Sequence, residues 1–395
     1  MRKKIAILLS RVPYPLEKGD KLRAFYQIRE LAKNHDVYLF ALNDSPVHPE
    51  ARKILLSYVK DMRVFTFSKL QVAFRLIKNI FSDKPFQVAY FYSRQTKNKI
   101  NKYLAEVNPD HVYCQLIRMA EYTLHLETDK TLDYQDAFSA GLLRRKKYAS
   151  WIIKPFLTAE YNRVRKYEEK MADLFIKKTI ISIPDRNLIS SPNKVEIQII
   201  PNGVDYRFFD CRGTEKKFDV IFCGNMAYPP NDDAAYFLVK EIMPLVWSSL
   251  PDAKVVIAGA NPTGRIRRLA SSLVTVTGWV DDVRLYYSAS KIMVAPLRIG
   301  TGLQNKILEA MAMKVPVIAS HHANQAVRAN HGEQILTAET QLEFAQQILS
   351  LLNNDSLYNH LIVNGLNFVK NQYDWSTPCK LLEKIITTPV FTGNS

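Results

Sequence analysis

APLRIGTGLQNKILEAMAMKVPVIAS, from Ala295 to Ser320, is the stretch that decides the fold of this 395-residue chain. It opens on the end of an apolar run, Lys291 to Ala295, which is typical of a buried strand. A loop with two glycines follows, then a helical pattern from about Leu303, then a second apolar run from Val315 to Ala319. Strand, loop, helix and strand in this order predict a parallel α/β sheet.

The glycine loop and the helix start in this stretch predict an anion site. Gly300 and Gly302 allow the backbone to approach a ligand closely. A helix that begins near Leu303 offers unpaired N–H groups and the positive end of its dipole, which suit a diphosphate, and Lys306 adds a positive charge in the first turn. Glu309 follows on the same face, where its carboxylate can accept hydrogen bonds from two ribose hydroxyls. The alternative is a solvent-exposed Lys-Glu pair, which the glycine loop and the buried strands disfavour.

The alternation of strand and helix runs through both halves of the chain. In the first half we predict strands at Ile5–Leu9, Val37–Leu42, Arg63–Phe67, His111–Cys114, Thr131–Tyr134 and Thr179–Ile183, with helices at Lys21–Asn34 and Lys97–Val107. In the second half we predict strands at Phe218–Cys223, Lys254–Ala258 and Thr275–Thr277, and a helix at Asn231–Ser249. These patterns predict two doubly wound, Rossmann-like parallel-sheet domains that face each other across a cleft, where ligands bind at the carboxyl ends of the strands.

The domain boundary is predicted at a turn of the type that stops regular structure. The segment EIQIIPNGVDYRFF runs from Glu196 to Phe209 and passes from a short strand into Pro-Asn-Gly. Residues 1–200 are therefore assigned to an N-terminal domain and residues 201–372 to a C-terminal domain.

The composition predicts a globular, intracellular protein. Hydrophobic residues make up 47% of the chain, and no apolar run approaches the roughly 20 residues that cross a bilayer. The N-terminal apolar stretch is too short for a signal peptide, so we expect a cytoplasmic protein. The four cysteines have no metal-binding or redox spacing and are expected to be buried, reduced thiols: Cys114, Cys211, Cys223 and Cys379.

The positive charge lies almost entirely in the first half. The net charge is +16, and residues 1–205 hold 36 Lys and Arg against 22 Asp and Glu. Such a field attracts anionic phospholipids, a lipid pyrophosphate or nucleic acid, or simply keeps the surface soluble. Within this half, Arg144–Lys147 and a helix from about Trp151 to Lys170 combine basic and apolar residues. Two interpretations stay open: a patch at the inner face of the plasma membrane, or a solvated face over core residues.

Several motifs resemble those of one enzyme family. The segments ILEAMA and PVIAS, the glycine loop before them and TGWVDD at Thr277–Asp282 are similar to the retaining glycosyltransferases of the GT-B fold, in the group often called family 4. IPNGVD at Ile200–Asp205 resembles that family's linker, and YDWS from Tyr373 resembles its last crossing helix, here 373–390, which would complete the N-terminal domain. RVPYPLEKGDKLRA, from Arg11, carries the likeness in the first half. GNMAYPPNDDAA, from Gly224, and RIGTGLQNK suggest sugar transferases of bacterial exopolysaccharide clusters.

The resemblance implies roles for individual positions. The C-terminal domain would bind the nucleotide sugar, with Glu309 on the ribose, and the N-terminal domain would bind the acceptor. Asp133 and Asp136 end a predicted strand and are expected to face the cleft, with Asp136 as the polar residue on the acceptor side. The other donor-binding positions lie in loops or at helix starts: Gly19, Asp20, Gly224, Asn225, Val280 at the base, and Gly300, Thr301, Gly302, Leu303, Gln304 and Asn305 at the diphosphate and the sugar. The adjacent His321 and His322 are assigned to solvent.

Three positions depart from the family pattern. Thr301 occupies the place of the first glutamate of the paired motif, which leaves the identity of the sugar open. The usual Arg and Lys after the first strand of the C-terminal domain are absent, so Lys306 and Arg298 are expected to neutralise the diphosphate. Lys314 replaces a glycine in a turn.

The implied reaction is transfer of a hexose from a nucleotide diphosphate sugar to a lipid-linked or glycan acceptor, with retention of configuration, in cell-surface polysaccharide synthesis. Stabilisation of the leaving diphosphate by the helix start and Lys306 would be electrostatic. We predict no metal and no cofactor, since Asp232-Asp233 and Asp281-Asp282 are adjacent pairs typical of helix N-termini.

Other functions remain as alternatives. A nucleotide-sugar epimerase or phosphorylase of the same shape would need acid-base side chains. A basic nucleic-acid-binding protein is favoured by charge alone, but the sequence has no corresponding motif, so no nucleic-acid partner is expected. A Rossmann dehydrogenase is disfavoured because neither half has G-x-G-x-x-G after its first strand.

Overall fold

A computed structural model describes residues 2–16, 18–210, 215–300 and 302–389, without the side chains of Lys147 and Tyr148. The chain forms two compact units, Met1–Pro201 with Pro378–Ser395, and Asn202–Thr377. The division after Pro201 lies within the Pro-Asn-Gly turn. In the described part of the chain, no helix is long and apolar enough to cross a membrane.

The first unit is built on a parallel sheet that, within the described ranges, has seven strands in the order β3-β2-β1-β4-β5-β6-β7. Its central strands are buried on both faces, as their nearly continuous apolar sequences require. The strands are β1 (Lys4–Leu9), β2 (Asp36–Asn43), β3 (Asp61–Thr66), β4 (His111–Gln115), β5 (Lys130–Asp133), β6 (Lys177–Ile180) and β7 (Gln198–Ile199).

Helices connect these strands. They are α1 (Gly19–Leu31), α2 (Ala51–Leu56), α3 (Lys69–Asn79), α4 (Phe86–Phe91), α5 (Arg94–Val107), α6 (Phe138–Tyr148), α7 (Lys154–Leu174) and α8 (Ile183–Leu188), with short 3₁₀ turns at Ile117–Tyr122 and Pro192–Glu196. Two buried carboxylates of α7 accept hydrogen bonds from backbone N–H groups at other helix starts: Glu160 from Phe86 of α4 and Glu168 from Ser139 of α6. The long helix α7 thereby fixes where α4 and α6 begin.

The second unit repeats this plan. Among its described residues, six parallel strands lie in the order β10-β9-β8-β11-β12-β13. The strands are β8 (Phe218–Cys223), β9 (Val255–Ala258), β10 (Val274–Val276), β11 (Ser290–Ala295), β12 (Val317–Ser320) and β13 (Leu336–Ala338). The helices are α9 (Pro229–Phe237), α10 (Met243–Trp247), α11 (Gly264–Arg267), α12 (Arg284–Ser288), α13 (Asn305–Ala312), α14 (His321–Asn324), α15 (Gln341–Asn353) and α16 (Asp355–Phe368), with π-helical turns at Leu238–Ile242 and Val369–Tyr373. The last helix, α17 (Ser376–Thr387), begins at the end of the second unit, and from Pro378 onward it belongs to the first unit.

The two predicted α/β sheets are confirmed, with corrections to several bounds. Helix α1 begins at Gly19, two residues before the predicted start, because Gly19 and Asp20 form its first turn. The single helix predicted from Asn231 is α9, a π turn and α10 in succession. Helix α13 begins at Asn305, two residues later than predicted. The edge strand β13, which has three residues, was not predicted.

A buried ion pair joins α1 to the first sheet and corrects an expectation for Asp133. This carboxylate ends β5 and was expected to line the cleft, but it is fully buried. Arg23 donates to its two oxygens at 2.7 and 3.0 Å, and Thr179 donates to it at 2.8 Å. Arg23 also donates to the Ile200 carbonyl at 2.9 Å. Asp133 is therefore structural, because removing one member of a buried pair leaves a charge without compensation.

Glycines at the carboxyl ends of β8 and β9 allow two loops of the second unit to touch. The Gly224 N–H donates to the Ala258 carbonyl at 3.0 Å, and the Gly259 N–H donates to the Gly278 carbonyl at 3.1 Å. A Cβ on Gly259 would lie 2.1 Å from the Gly224 oxygen, and the Gly259 backbone has φ of +134°. At position 259, a residue with a side chain would clash with the Gly224 carbonyl and would rarely adopt this φ.

Gly259→Ala is expected to lower the free energy of unfolding by about 3 kcal/mol or more, because the methyl group meets backbone that cannot move aside. Urea denaturation followed by circular dichroism measures the change. Gly264→Ala is the matched control, since a Cβ there meets nothing within 4 Å and no unusual φ is required. Its effect should stay within about 1 kcal/mol. Equal losses in the two variants would contradict the close approach at Gly259.

Candidate active site

The predicted anion site lies at the topological switch point of the second sheet, where the order of the strands reverses. Strands β8 and β11 are neighbours, and the chain continues from β8 to β9 on one side and from β11 to β12 on the other. Loops that follow two such strands diverge and leave a crevice at their carboxyl ends, which is where open α/β sheets bind ligands. The loop after β8 begins at Gly224, and the loop after β11 leads into α13, so both predicted segments meet at this point.

Lys306 is the cation of this crevice. It lies in the first turn of α13, and its Nζ donates to Asn231 Oδ1 at 2.5 Å and lies 4.5 Å from the centroid of the Phe222 ring. Burial lowers the pKa of Lys306 to about 8, although the charge of Glu309 acts in the opposite direction. An ammonium with one neutral partner is held in place but not neutralised, so it can bind an anion.

Asn231 fixes Lys306 against the β8 loop. Its Nδ2 donates to the Asn225 carbonyl at 2.9 Å, while its oxygen accepts from Lys306. A Cβ on Gly224 would lie 2.6 Å from Asn231 Nδ2 and 3.1 Å from Lys306 Nζ. Gly224 therefore makes room for the lysine and its partner, and the side chain of Asn225 is used within the loop, where it accepts from the Ala227 N–H at 3.0 Å.

Glu309 is held by a buried tyrosine. The Tyr287 hydroxyl lies 3.2 Å from Glu309 Oε2 and 3.2 Å from the Lys306 carbonyl. Burial raises the pKa of the Glu309 carboxyl, and the Tyr287 hydrogen bond and the charge of Lys306 oppose that rise. Both Lys306 and Glu309 are half-buried, which excludes the alternative of a fully solvent-exposed pair.

The glycine loop reaches α13 through residues with positive φ. Gly300 has φ of +103° and Gly302 has φ of +94°, values that L side chains rarely adopt. Gln304 precedes the helix, and its side chain donates to the Gly302 carbonyl at 3.2 Å and does not cap the helix. Leu303 packs against the core of the unit. Thr301, predicted to contact the sugar, lies outside the described residues.

The start of α13 offers both hydrogen-bond donors and an acceptor to a ligand. The side chain of Gln304, its N-cap residue, makes no capping hydrogen bond in the described part of the chain, so the first N–H groups of the helix keep their capacity to bind an anion. Asn305, its first residue, has a buried Oδ1 that finds no hydrogen-bond partner among the described residues. An unsatisfied acceptor beside unpaired donors is suited to a ligand that carries both hydroxyls and phosphates.

His322 contradicts the expectation of a solvated loop histidine. The imidazole is half-buried, and its Nε2 contacts the Gly300 carbonyl. The carbonyl accepts, so Nε2 carries the proton. Ser320 holds the other end of the same loop, because its hydroxyl donates to the Leu297 carbonyl at 2.6 Å. His321 instead forms an exposed pair with Glu339 at 2.9 Å.

Arg298, the second cation predicted for the diphosphate, is already paired. Its Nε and Nη2 donate to the two oxygens of Asp233 at 3.0 and 2.6 Å, and its guanidinium lies 4.3 Å from the centroid of the Phe237 ring. A bidentate pair largely cancels the positive charge. Lys306 is therefore the better placed of the two for an anion.

Val280, predicted for the nucleotide base, is half-buried in the loop after β10. It follows Trp279, which is exposed, and Gly278, whose φ of +73° turns the chain. Among the described residues, no group of three or more His, Cys, Asp and Glu side chains is arranged to hold a metal ion.

In the first unit, Gly19 and Asp20 form the first turn of α1 rather than a loop. The Asp20 carboxylate is paired with Arg11 at 3.0 Å, and its backbone carbonyl accepts from the Gln115 side chain at 3.1 Å. A Cβ on Gly19 would be 3.7 Å from Gln135 Nε2, which is ordinary contact, so this glycine is not required by space alone.

Asp136 follows β5 at the same edge of the first sheet. Its Oδ1 is buried and has no hydrogen-bond partner within the described ranges. Burial and the neighbouring carboxylate of Asp185 raise the pKa of Asp136 to about 7, although Arg118 and Arg144 act in the opposite direction. A carboxyl group with this pKa can exchange a proton near neutral pH.

A separate cavity of about 510 Å³ lies in the first unit at the carboxyl end of β3. Its walls include Thr66, Gln71, Arg75, Ser93 and Lys99. None of the predicted site residues lines it.

Of the residues now seen around Lys306 and Glu309, sequence reasoning missed Asn231, Tyr287 and His322. Asn231 lies in the quoted segment GNMAYPPNDDAA, but it was assigned only to a helix start. Tyr287 lies in the five-residue helix α12, where no local pattern distinguishes it from a core residue. His322 was identified and set aside.

Comparisons with known proteins agree with the fold. Residues 217–354 match the family model described as glycosyl transferases group 1. An uncharacterized 44.6 kDa protein in the cps region of Klebsiella pneumoniae is 23% identical over 394 residues, covering 94% of this chain and 96% of that protein. Among solved structures, sucrose-phosphate synthase from Thermosynechococcus elongatus aligns with a TM-score of 0.67 at 15% identity, over 97% of this chain and 98% of that one.

HepE of Anabaena, in a structure with UDP, aligns with a TM-score of 0.66 at 14% identity, over 96% of this chain and 98% of that one. At these identities the structural likeness shows the fold, which is GT-B. Together with the family model, the comparisons support a GT-B glycosyltransferase of group 1 type.

Proposed function

We propose that this chain is a retaining glycosyltransferase that moves a hexose from a nucleotide diphosphate sugar to a lipid-linked or glycan acceptor in cell-surface polysaccharide synthesis. One observation carries the proposal. Three features lie together at the topological switch point of the second sheet. They are the start of α13, the Lys306 ammonium, which donates to the neutral Asn231, and the Glu309 carboxylate, which is held by Tyr287. Diphosphate, ribose and base are the ligand parts that such a set recognises.

Each part of the site has a proposed role. Lys306 and the N–H groups at the start of α13 bind the diphosphate, and Glu309 accepts hydrogen bonds from the ribose hydroxyls. Gly300 and Gly302 bring backbone close to the diphosphate and the transferred sugar, and Asn305 adds an acceptor for a hydroxyl. The loop at Val280 receives the base. The two structures of HepE described as complexes with UDP and with UDP-glucose favour UDP as the first nucleotide to test.

Transfer then depends on charge stabilisation. The bond from the anomeric carbon to the diphosphate oxygen breaks with its electron pair on oxygen, where Lys306 and the helix dipole stabilise the new charge. The acceptor hydroxyl attacks on the same face, and its proton passes to the departing oxygen. Asp136 stays the proposed polar residue on the acceptor side. This scheme needs neither a metal ion nor a cofactor.

The place of action is part of the proposal. The cps-region relative supports a role in surface polysaccharide synthesis. The basic first half, with 36 Lys and Arg against 22 Asp and Glu, supports a cytoplasmic enzyme that works at the inner face of the plasma membrane.

A binding screen of nucleotide sugars tests the donor assignment. We expect one donor, among UDP-, GDP- and ADP-hexoses, to bind with a dissociation constant on the order of micromolar, as measured by isothermal titration calorimetry. Its affinity should be the same in EDTA and in Mg²⁺. Failure of every donor to bind, or binding only with Mg²⁺, would contradict the proposed pocket.

The stereochemistry is checked with the donor that binds. Proton NMR of the product should show the anomeric configuration of the donor, and an inverted product would overturn the retaining assignment.

A further inference from the structure

Helix α3 of the first unit turns its apolar side toward solvent. Leu70, Ala73, Phe74 and Ile77 recur at three- and four-residue spacing, and all four are exposed, Leu70 to 83%. The opposite side of the helix packs inward through Val72. A surface helix normally buries its apolar stripe, so this arrangement leaves the stripe available to a partner.

The exposed apolar surface continues onto the beginning of α7. Phe81, shortly after α3, is 95% exposed, and every residue from Trp151 to Phe156 is exposed, Trp151 to 81%. These segments adjoin, because Arg163 of α7 donates to the Ile80 carbonyl at 2.9 Å. The surface thus consists of two parts that share a border: Leu70, Ala73, Phe74, Ile77, Ile80 and Phe81, and Trp151, Ile152, Ile153 and Phe156.

This exposure excludes one of the two interpretations of the α7 segment, a solvated face over core residues. Had Trp151, Ile152 and Phe156 been core residues under a solvated face, they would be buried. Phe156 does contact Phe86, with ring centroids 5.4 Å apart, yet it remains more than half exposed. The α3 contribution was not predicted, because the same periodicity describes a helix that faces inward.

Basic residues are frequent in the two segments that carry the apolar surface. Segments 69–84 and 144–166 hold twelve Lys and Arg against two Asp and Glu. One of the two acids, Glu160, is buried and accepts hydrogen bonds from backbone. Lys78 lies beside the apolar stripe, with its Nζ 4.6 Å from the centroid of the Phe74 ring. Exposed aromatic and aliphatic side chains next to lysines and arginines suit a bilayer with anionic headgroups, because the apolar side chains can enter the bilayer while the cations contact the phosphates.

We propose that this α3–α7 surface docks on an anionic phospholipid bilayer, with the apolar side chains in the headgroup region and the lysines and arginines against the phosphates. A second copy of the chain is a poorer occupant, because a symmetric interface would bring two sets of like charges together. The inference concerns the first unit alone and does not depend on the donor pocket.

Vesicle sedimentation tests the docking. The full chain should sediment with vesicles of phosphatidylcholine containing about one third phosphatidylglycerol and should stay in solution with pure phosphatidylcholine. The bound fraction should fall as salt rises from 50 to 500 mM, since the Debye length shortens to a few ångströms. Equal binding to the two kinds of vesicle, or none to either at low salt, would overturn the proposal.

Substitutions on the surface separate its two components. Leu70→Ser with Phe81→Ser should lower the partition coefficient about tenfold or more, because two inserted apolar side chains are lost. Lys78→Glu with Lys154→Glu should lower it by a similar factor through charge. The matched control is Leu342→Ser with Val363→Ser, two exposed apolar residues of the second unit, which should bind vesicles like the wild type.

Two further measurements separate membrane docking from misfolding of the variant and from self-association. The circular dichroism spectrum and the thermal unfolding of Leu70→Ser with Phe81→Ser should match those of the wild type, which shows that the variant is folded. Donor binding without lipid should be unchanged, because the proposed donor pocket lies in the second unit. Sedimentation velocity should show the same species for the wild type and this variant. A wild-type dimer that the variant loses, together with no vesicle binding, would assign the surface to self-association and overturn the membrane proposal.

Discussion

Glu309→Gln is expected to raise the dissociation constant of the donor about 100-fold. The substitution preserves size and can keep the hydrogen bond to the Tyr287 hydroxyl, which lies 3.2 Å from Oε2. What it removes is the negative charge that strengthens two hydrogen bonds from ribose hydroxyls, each by roughly 1 to 1.5 kcal/mol. Isothermal titration calorimetry with the donor found by screening measures the loss.

The control must distinguish a lost ribose contact from a general change of charge. Glu241→Gln makes the same chemical change on an exposed residue of the second unit and should leave the affinity as it is. Thermal unfolding should place Glu309→Gln within a few degrees of the wild type, since the pKa of this carboxyl is already raised by burial. A Glu309→Gln variant that binds donor like Glu241→Gln would remove Glu309 from the ribose site.

Local sequence patterns were sufficient for the architecture and for the principal residues of the pocket. A strand followed by two glycines and a helix start is a local feature, so the pattern from Ala295 to Ser320 predicted both the crevice and its cation. The spacing of Lys306 and Glu309 predicted two side chains on one side of α13, and in the structure the charge of each side chain acts on the pKa of the other.

Partners that are distant in sequence could not be predicted in this way. Asn231 precedes Lys306 by 75 positions, and Arg23 precedes Asp133 by 110 positions. Such pairs meet only because of the order of strands in the sheet, which a single sequence does not state. For the same reason Asp133 was expected at a ligand-facing edge, whereas it is neutralised inside the first unit.

The periodicity of apolar residues also does not show whether the apolar side of a helix faces the core or the solvent. The stripe Leu70, Phe74 and Ile77 has the spacing of a core-facing helix, and solvent exposure alone reveals the difference. His322 illustrates the same limit at a single position, since a histidine after a strand is read as solvated until the Gly300 carbonyl is found beside it.

Lys306→Met is expected to lower donor affinity about 100-fold at pH 7 and to remove its dependence on pH. Burial lowers the pKa of Lys306 to about 8, so the ammonium is present at pH 7 and is progressively lost above pH 8. The diphosphate of a nucleotide sugar does not titrate in this range. The wild-type dissociation constant should therefore rise toward tenfold per pH unit between about pH 8 and 9, while that of the variant stays level. Calorimetry across this range measures both.

The comparison with Arg298 decides which cation binds the diphosphate. Arg298→Gln removes a full charge from the same loop region, but both of its hydrogen bonds go to Asp233, so affinity should change by less than about threefold. Lys240→Met, on an exposed lysine, should have no effect. Lys306→Met itself should not unfold the second unit, because replacing a buried ammonium with an apolar side chain of similar length removes a desolvation penalty. If Arg298→Gln weakened binding more than Lys306→Met, or if the pH dependence survived in Lys306→Met, the diphosphate would have to lie against Arg298 and away from the start of α13.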